Sequence, residues 1–506
     1  MNIDCEEPIV FFEKGHYQFM PFRFRRMKSH EVLLTSVTGE FIFLSSDEFS
    51  KFVGKKLALT EEIYKKLKSK SFLIDHGSAH LDVLASRYWT KKSFLREFVK
   101  LHIFVLTLRC NSSCTYCQVT RQAESANKKI YDMSEETARR SVEIMMKGPA
   151  KNITVEFQGG EPLLNFNVLR EVVLYTESLN SEHHKNISFV VCTNLSVLTD
   201  EMLFFFKEHN INVSTSVDGP RDLHDYNRCR KIKSARYDVV VENIRRAQEA
   251  LGRHCVSALM TTTRESFQYP REIIDEYIKL DLGSVFVRSL NPYGYAVKTQ
   301  NSIGYSPEEF FLFYKKVLDY VLELNRRGIG FAEATAAMLF RKILTPWPIG
   351  FVDLQSPTGN GFAVTVYNYD GDVYASDESR MLNEMGDARF RLGSVYEDSY
   401  ETIYFGQAMQ LLAATGVAEC LAGCVDCAYV PYCGADPVRH YATQKDAYGN
   451  RVASEFCKKY SLIISYLFEI LRNADAETEN IIWSWLNDAP VDRFEIDMEK
   501  EICRLE

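Results

Sequence analysis

Between residues 100 and 290, short apolar runs alternate with longer stretches in which apolar residues recur at helical spacing. Each apolar run is typical of a buried strand, and the stretch at 134–148 predicts a helix capped by Ser134. Strand–helix alternation predicts parallel strands joined by right-handed crossovers. We therefore predict an α/β fold built around an incomplete TIM-like barrel at residues 99–300. Its six predicted strands cover residues 102–108, 152–160, 187–194, 212–219, 255–263 and 284–290.

The regions on either side of the barrel have different patterns. Residues 1–98 predict a small α+β domain, in which "EVLLTS" and "EFIFLS" form a hairpin and Ser46 and Thr60 cap the following helices. Residues 301–345 predict a helical linker. Residues 346–470 form a further domain with a hairpin around the Asp-Gly pair at 370–371, and residues 471–506 predict a helical tail.

Composition excludes some classes of function. The chain has 506 residues, enough for about three domains at roughly 100–200 residues each. Its formal net charge of −8 argues against a nucleic-acid partner bound through a general basic surface. No run approaches the roughly 20 apolar residues of a membrane span. The first residues lack the pattern of a secretory signal, so we predict a cytoplasmic location and no membrane partner.

Cysteines carry the strongest chemical signal. There are thirteen, and most fall in two tight clusters, which in a reducing compartment indicates metal or redox chemistry more than disulfides. The scattered ones are predicted to be small packed residues. This scattered set is Cys5, Cys192, Cys229, Cys255 and Cys503.

The first cluster is Cys110, Cys114 and Cys117, spaced C-x3-C-x2-C directly after the first barrel strand. A structural zinc site uses four ligands, and no fourth Cys or His lies close by in the sequence. Three thiolates suit an iron–sulfur cubane, which four cysteines normally hold. The missing fourth ligand would leave one iron open to a small molecule.

With Tyr116 as the aromatic residue, this C-x3-C-x-aromatic-C pattern after a first strand resembles the radical S-adenosylmethionine (radical SAM) superfamily. The resemblance implies a partial (β/α)6 barrel and a [4Fe–4S] cluster whose open iron binds SAM through its amine and carboxylate. It also implies that the reduced cluster splits SAM and that the resulting radical abstracts a substrate hydrogen.

Other motifs resemble the family's SAM-binding segments. "GGEP" at 159–162 resembles the motif that meets the SAM amino group, and glycines there allow close approach of the backbone to a ligand. The resemblance assigns Asn194 and Ser216 to SAM, with Asp218 shaping the loop. Arg228 and Arg288 are weaker candidates, and each either meets a carboxylate or forms a surface ion pair. The motif at 159–162 consists of Gly159, Gly160, Glu161 and Pro162.

The second cysteine cluster, "CLAGCVDCAYVPYCGADP" at 420–437, resembles the SPASM (twitch-like) extension of radical SAM peptide maturases. Four cysteines match one full ligand set, whereas Ser376 and Pro437 stand where a second set has cysteines. The resemblance therefore implies one auxiliary [4Fe–4S] cluster, with Cys420 as a spectator or a replacement ligand. Zinc remains an alternative, because C-x2-C spacing suits it too. The four matching residues are Cys424, Cys427, Cys433 and Cys457.

The N-terminal domain resembles PqqD-like peptide-recognition domains, which are winged-helix-like and capture a leader peptide as an added strand. A merely structural role is the alternative. Across most of its length the chain resembles the HxsB family of His-Xaa-Ser system radical SAM maturases. That resemblance implies a precursor peptide or small-protein substrate and a second radical SAM maturase as partner. It also implies an electron donor of the flavodoxin or ferredoxin type.

Two other functions remain open at this point. One is a radical SAM enzyme acting on a folded protein or a small molecule. The other is a non-enzymatic iron–sulfur or zinc scaffold. The sequence names no general acid or base.

Overall fold

The computed structural model of the protein describes residues 17–75, 80–229 and 235–487. Cys5 and Cys503, and the ends of the first and last predicted domains, lie outside the described residues. The strands are β1 Gln18–Phe19, β2 Phe22–Arg26, β3 Val32–Ser36, β4 Phe41–Leu44, β5 Leu73–Ile74, β6 Leu101–Thr107, β7 Arg109–Cys110, β8 Gln122–Ala123, β9 Asn152–Gly159, β10 Asn186–Cys192, β11 Ile211–Ser216, β12 Val256–Thr261, β13 Ser284–Val285, β14 Val287–Arg288, β15 Ala332–Glu333, β16 Val364–Tyr367, β17 Asp372–Tyr374 and β18 Arg391–Ser394.

Helices connect most of these strands. They are α1 Ser46–Val53, α2 Glu62–Ser69, α3 His80–Lys91, α4 Phe94–Glu97, α5 Lys128–Tyr131, α6 Glu135–Met146, α7 Phe166–His183, α8 Asp200–Glu208, α9 Arg221–Arg228, α10 Tyr237–Leu251, α11 Glu272–Lys279, α12 Gly294–Ile303, α13 Pro307–Arg326, α14 Ala334–Leu344, α15 Asp377–Glu384, α16 Tyr400–Phe405, α17 Gln407–Thr415, α18 Pro437–Gln444, α19 Glu455–Arg472 and α20 Ala476–Asn487. No helix in the described part of the chain is both long and apolar enough to cross a membrane.

The predicted α/β fold with a parallel sheet is confirmed. Strands β6, β9, β10, β11, β12 and β14 lie side by side in chain order, and each pairs in parallel with the next. The last predicted strand is interrupted at Phe286, so that β14 pairs with β12 whereas β13 pairs with β15. Ser134 caps α6 as predicted, and its side chain accepts from the backbone N–H of Thr137.

The predicted hairpin around residue 370 also forms, and it extends the barrel sheet. β16 pairs in parallel with β6, and β17 and β18 continue the sheet in antiparallel order. The sheet therefore runs without a break from the barrel into the region predicted as a separate cysteine domain. The predicted domain boundaries stay a prediction.

In the N-terminal region, β2, β3 and β4 form an antiparallel sheet that includes the predicted hairpin. Two helix caps differ from the prediction. Ser45, not Ser46, caps α1, because its side chain forms a capping box with Glu48. Thr60 does not cap α2, whose N-cap residue is Glu61.

Both faces of this small sheet are covered. Val32 and Leu34 of β3 pack into a core formed with the domain's own helices. Leu33, on the opposite face, belongs to the large core of the barrel, and Phe41 and Phe43 pack against that core. The N-terminal sheet is thus buried between its own helices and the rest of the protein.

Candidate functional site

A cavity of about 470 Å³ lies at the carboxyl ends of the barrel strands, where active sites of parallel barrels gather. All three cysteines of the first cluster line it. Among the other predicted site residues, seven line the same cavity, whereas Glu161, Pro162 and Asp218 do not. The seven are Tyr116, Gly159, Gly160, Asn194, Ser216, Arg228 and Arg288.

A buried ion pair lies at the point where the chain passes from β6 into the first cysteine loop. The Arg109 guanidinium donates to both oxygens of Asp132 at 2.7 Å, which fixes the strand exit. Burial and then the neighbouring Cys114 raise the pKa of the Cys110 thiol, and the same two causes raise the pKa of Cys117 to about 12. Thiolates at this site therefore need a bound cation, as an iron cluster provides.

Asn194 connects the loop after β10 to the cysteine loop. Its side-chain amide donates to Asn111 Oδ1 at 3.0 Å and to Ser112 Oγ at 3.1 Å. These acceptors lie between Cys110 and Cys114. Asn194 therefore fixes the path of the cysteine loop in addition to lining the cavity.

Glu161, which the motif assigns to the SAM amino group, does not line the cavity. Its carboxylate is fully buried and accepts from Thr193 Oγ1 at 2.6 Å, Asn194 N at 2.8 Å and Leu163 N at 3.1 Å. These bonds turn the carboxylate into the protein and away from the cavity. The contacts of Glu161 are those of a positioning residue that holds Asn194.

The two glycines are required for close packing of the protein backbone. A Cβ at Gly159 would lie 2.2 Å from the Thr107 carbonyl oxygen, and one at Gly160 would lie 2.3 Å from that of Arg109. Gly159 also has a φ of +139°, which strongly favours glycine. The crowding is against the exit of β6, whereas the sequence suggested close approach to a ligand.

Tyr116, Asp218 and Arg228 form a buried triad beside the cysteine loop. The Tyr116 hydroxyl donates to Asp218 at 2.8 Å and accepts from Arg228 Nη1 at 2.9 Å. Arg228 Nε has no hydrogen-bond partner among the described residues, although Arg228 is buried and lines the cavity. An unpaired buried donor at this point fits an anionic group of a ligand.

Charged residues line the far part of the cavity, and of these the sequence singled out Arg288 but not Glu378 or Lys459. Glu378 Oε1 lies 3.9 Å from Arg288 Nη2, and Lys459 donates to Ser289 Oγ at 2.8 Å. Burial, together with the nearby Asp353 and Asp377, raises the pKa of Glu378 to about 8. The adjacent acids in "ASDES", directly after the predicted hairpin, were the available sequence signal.

Asp377 differs from its neighbour Glu378. The fully buried Arg380 donates from Nε to Asp377 Oδ1 at 3.0 Å, so Asp377 is neutralised by an ion pair. Cys192, predicted to be a packed residue, also lines the cavity. The position of Cys192 at the end of a barrel strand could have indicated this.

The second cysteine set gathers where the loop at 424–433 meets the start of α19. Burial raises the pKa of Cys427, and the nearby Cys457 thiol raises it further. The Tyr429 N–H, Arg25 and Arg23 lower the pKa of the same thiol. Lys342 donates to the Cys433 carbonyl at 2.9 Å, and Arg451 lies beside Cys424. Arg451, Arg25 and Arg23 thus place positive charge near a group of thiols, where it would stabilise an anionic metal–thiolate centre. Cys420 is exposed.

Spacing distinguishes a cluster from a single ion. Around one zinc ion, thiolates at Zn–S distances of about 2.3 Å lie roughly 3.8 Å apart. Three His, Cys, Asp or Glu residues could hold one metal ion where their ligand atoms all lie within 4.8 Å of one another. Within the described ranges, one group meets this condition, and it consists of His224, Asp225 and Cys229. Among the described residues neither cysteine cluster is drawn together in that way, a spacing that a larger cluster can accommodate.

The His224 group is explained by hydrogen bonding. His224 Nε2 lies 3.2 Å from the Ala235 carbonyl oxygen, and Cys229 Sγ donates to the same oxygen at 2.8 Å. A backbone carbonyl thus occupies the space between these side chains.

Comparison with known proteins finds similarity across the barrel. Residues 104–277 match the model of the Radical SAM superfamily. A radical SAM cyclopropyl synthase, TigE, of Paramaledivibacter caminithermalis is 25% identical over 209 residues, 38% of this chain and 41% of that protein. A cysteine-type anaerobic sulfatase-maturating enzyme of Clostridium novyi is 25% identical over 219 residues, 42% of this chain and 56% of that protein.

Two solved structures share the fold. Native anSMEcpe with bound AdoMet superposes with a TM-score of 0.59 at 19% identity, over 76% of this chain and 100% of that one. Streptococcus suis SuiB bound to precursor peptide SuiA gives a TM-score of 0.52 at 14% identity, over 86% of this chain and 98% of that one.

The barrel with its three-cysteine loop is therefore the part of the chain that resembles the Radical SAM superfamily. The chain spans between 38% and 46% of the length of the first three curated relatives.

Proposed function

We propose that the protein is a radical SAM maturase that modifies a ribosomally made peptide or small protein. The observation that supports this most directly is the shared cavity. Cys110, Cys114 and Cys117 open onto the same space as Asn194 and Arg228, and the space continues to the charged group around Glu378. One cavity thus joins the predicted cluster to a place where a substrate residue would be held.

The residues present fit the implied cofactors. Cys110, Cys114 and Cys117 would hold a [4Fe–4S] cluster, which when bound and reduced supplies the electron that splits SAM to a hydrogen-abstracting 5′-deoxyadenosyl radical. Asn194 would face SAM while it keeps the cysteine loop in place. Arg228 would meet an anionic group of SAM through its unpaired Nε.

Glu378 is the group we assign to proton transfer. It lines the cavity and has a raised pKa, whereas Asp377 is tied to Arg380. A carboxyl group with a pKa of about 8 is mostly protonated at neutral pH and can exchange a proton with a substrate at little cost. Arg288 and Lys459 would orient polar atoms of the substrate beside it.

A peptide substrate is supported by two observations. SuiB has been solved with its precursor peptide and anSMEcpe with bound peptides. In the N-terminal sheet of this chain, β2 and β4 are edge strands, to which a peptide strand can add. We propose a leader-peptide role for this region, a substrate of the His-Xaa-Ser repeat type, a second maturase as partner and a flavodoxin or ferredoxin as electron donor.

The test is the origin of the hydrogen that reaches 5′-deoxyadenosine. Reconstituted protein is incubated anaerobically with SAM, dithionite and a synthetic His-Xaa-Ser repeat peptide that carries deuterium on carbon. Deuterium in 5′-deoxyadenosine, together with a mass change in the peptide, is expected.

Unlabelled 5′-deoxyadenosine and an unchanged peptide would instead point to another substrate. SAM that is never consumed would favour the scaffold function. Cys117→Ala should give no product, whereas Cys255→Ala, outside both clusters, should behave as the unmodified protein does.

A further inference from the structure

One face of the N-terminal sheet lies directly on the loop of the second cysteine cluster. Arg23 of β2 and Thr35 of β3 are register partners and share this face. Arg23 Nε donates to the Val425 carbonyl at 2.5 Å, and Thr35 Oγ1 donates to the Ala428 carbonyl at 2.8 Å. Val425 and Ala428 flank Cys427, so two strands of the small sheet contact the backbone on both sides of this cysteine.

Further contacts extend the interface along the same loop. The Arg25 guanidinium lies 4.9 Å from the centre of the Tyr429 ring, and the Tyr429 N–H donates to Cys427 Sγ at 3.4 Å. Next to Cys433, the Tyr432 hydroxyl donates to the Gly39 carbonyl at 2.9 Å. The loop that carries three of the four cysteines is therefore held from one side by residues of the N-terminal domain.

We propose that the N-terminal sheet is one wall of the auxiliary cluster site and that Arg23 and Arg25 set the charge balance of that cluster. This inference rests on the proposed iron–sulfur centre at Cys424, Cys427, Cys433 and Cys457. Reduction adds one negative charge to such a centre, and nearby fixed cations stabilise the added charge. The reduction potential of the auxiliary cluster thus depends on residues about four hundred positions away in the sequence, as the separation of 402 between Arg23 and Val425 illustrates.

The alternation of side chains along β2 supplies a matched control. Phe24 points to the opposite face, where its ring lies 4.9 Å from that of Phe49 in α1. Because strand side chains alternate, Arg26 shares the face of Phe24 and points away from the cysteine loop. Arg26→Gln therefore removes the same charge from the same strand without removing a wall of the site.

The experiment isolates the auxiliary cluster in the full chain. A parent variant with Cys110, Cys114 and Cys117 changed to Ala is reconstituted with iron and sulfide, and its remaining centre is titrated potentiometrically with EPR detection. The Arg23→Gln and Arg25→Gln changes are then added together. We expect iron content to stay the same and the reduction equilibrium to shift about tenfold toward the oxidised form, which is about 59 mV for one electron.

The controls separate charge from packing. Arg25→Lys keeps the cation and should leave the potential near that of the parent, as should Arg26→Gln. If the Arg23 and Arg25 changes leave the reduction potential equal to that of the parent, the inference is overturned but the cluster assignment is not. A parent that binds no iron would overturn the cluster assignment and, with it, this inference. Loss of iron on Arg25→Gln but not on Arg25→Lys would show that the charge is needed to assemble the site, and would overturn the proposal that it acts on the reduction potential of an intact cluster.

Discussion

Changing Glu161 to glutamine is expected to weaken SAM binding without removing the first iron–sulfur cluster. The Glu161 carboxylate accepts three hydrogen bonds from Thr193, Asn194 and Leu163. Glutamine has nearly the same shape but only one acceptor oxygen. If that oxygen keeps the bonds to Thr193 and Leu163, the new amide group faces the N–H of Asn194, and a buried donor loses its acceptor.

The magnitude follows from the cost of that donor. A buried donor without a partner costs about 1–3 kcal/mol. The loop at Asn194 would relax to a conformation that avoids this cost. SAM binding would then have to return the loop to its original conformation. The same free energy then appears as a SAM affinity that is about fivefold to 150-fold weaker.

The assay is anaerobic equilibrium dialysis of SAM against reconstituted protein, with iron measured in the same samples. Glu136→Gln, on the exposed face of α6, is the matched control and should change neither quantity. A Glu161→Gln protein that keeps its SAM affinity would refute the positioning role. A protein that loses iron as well would show that Glu161 supports the whole cysteine loop and not the Asn194 loop in particular.

Three further outcomes are expected. Cys427→Ala should lower the iron content of the reconstituted protein, whereas the exposed Cys420→Ala in the same loop should not, and equal iron in both would contradict the ligand assignment. Gly160→Ala places a Cβ 2.3 Å from a backbone oxygen and should lower the free energy of unfolding by about 1–3 kcal/mol in urea titrations, whereas Gly350→Ala, with no neighbour within 4 Å, should change it little. Burial raises the pKa of Glu378 from its ordinary 4.5 to about 8, so between those values the folded protein binds more protons than the unfolded chain and stability should fall as pH rises. Glu378→Gln should flatten that dependence in unfolding measurements across the range, and an unchanged slope would count against the buried carboxyl group.

Local patterns were enough to predict the barrel and its cysteine loop. The strands of the barrel are apolar runs bounded by turns, and the spacing of Cys110, Cys114 and Cys117 is a local property of eight residues. The N-cap at Ser134 is local as well. For α1, two adjacent serines compete for the cap, and only the backbone geometry selects Ser45.

Long-range pairing explains what the sequence did not show. The hairpin around residue 370 was predicted, but its parallel pairing with β6 joins residues more than 250 positions apart. The charged end of the cavity likewise brings together Arg288, Glu378 and Lys459 from three separate elements. Nothing in the local pattern of residues 22–26 indicates that Arg23 and Arg25 face the second cysteine cluster.

Glu161 shows a different limit. Its motif identifies the loop correctly as part of the cavity region, because the neighbouring glycines line the cavity. The direction of one side chain depends on which donors surround it, and these donors come from the next strand. A motif therefore located the segment, whereas the role of the individual carboxylate required the structure.

The central claim is that the first cysteine cluster holds an iron–sulfur centre that cleaves SAM. The most direct measurement is the amount of 5′-deoxyadenosine formed when anaerobically reconstituted protein is mixed with SAM and dithionite. We predict product from the unmodified protein, product from Cys255→Ala and none from Cys117→Ala. Iron-loaded protein that forms no 5′-deoxyadenosine, with or without added peptide, would contradict the account.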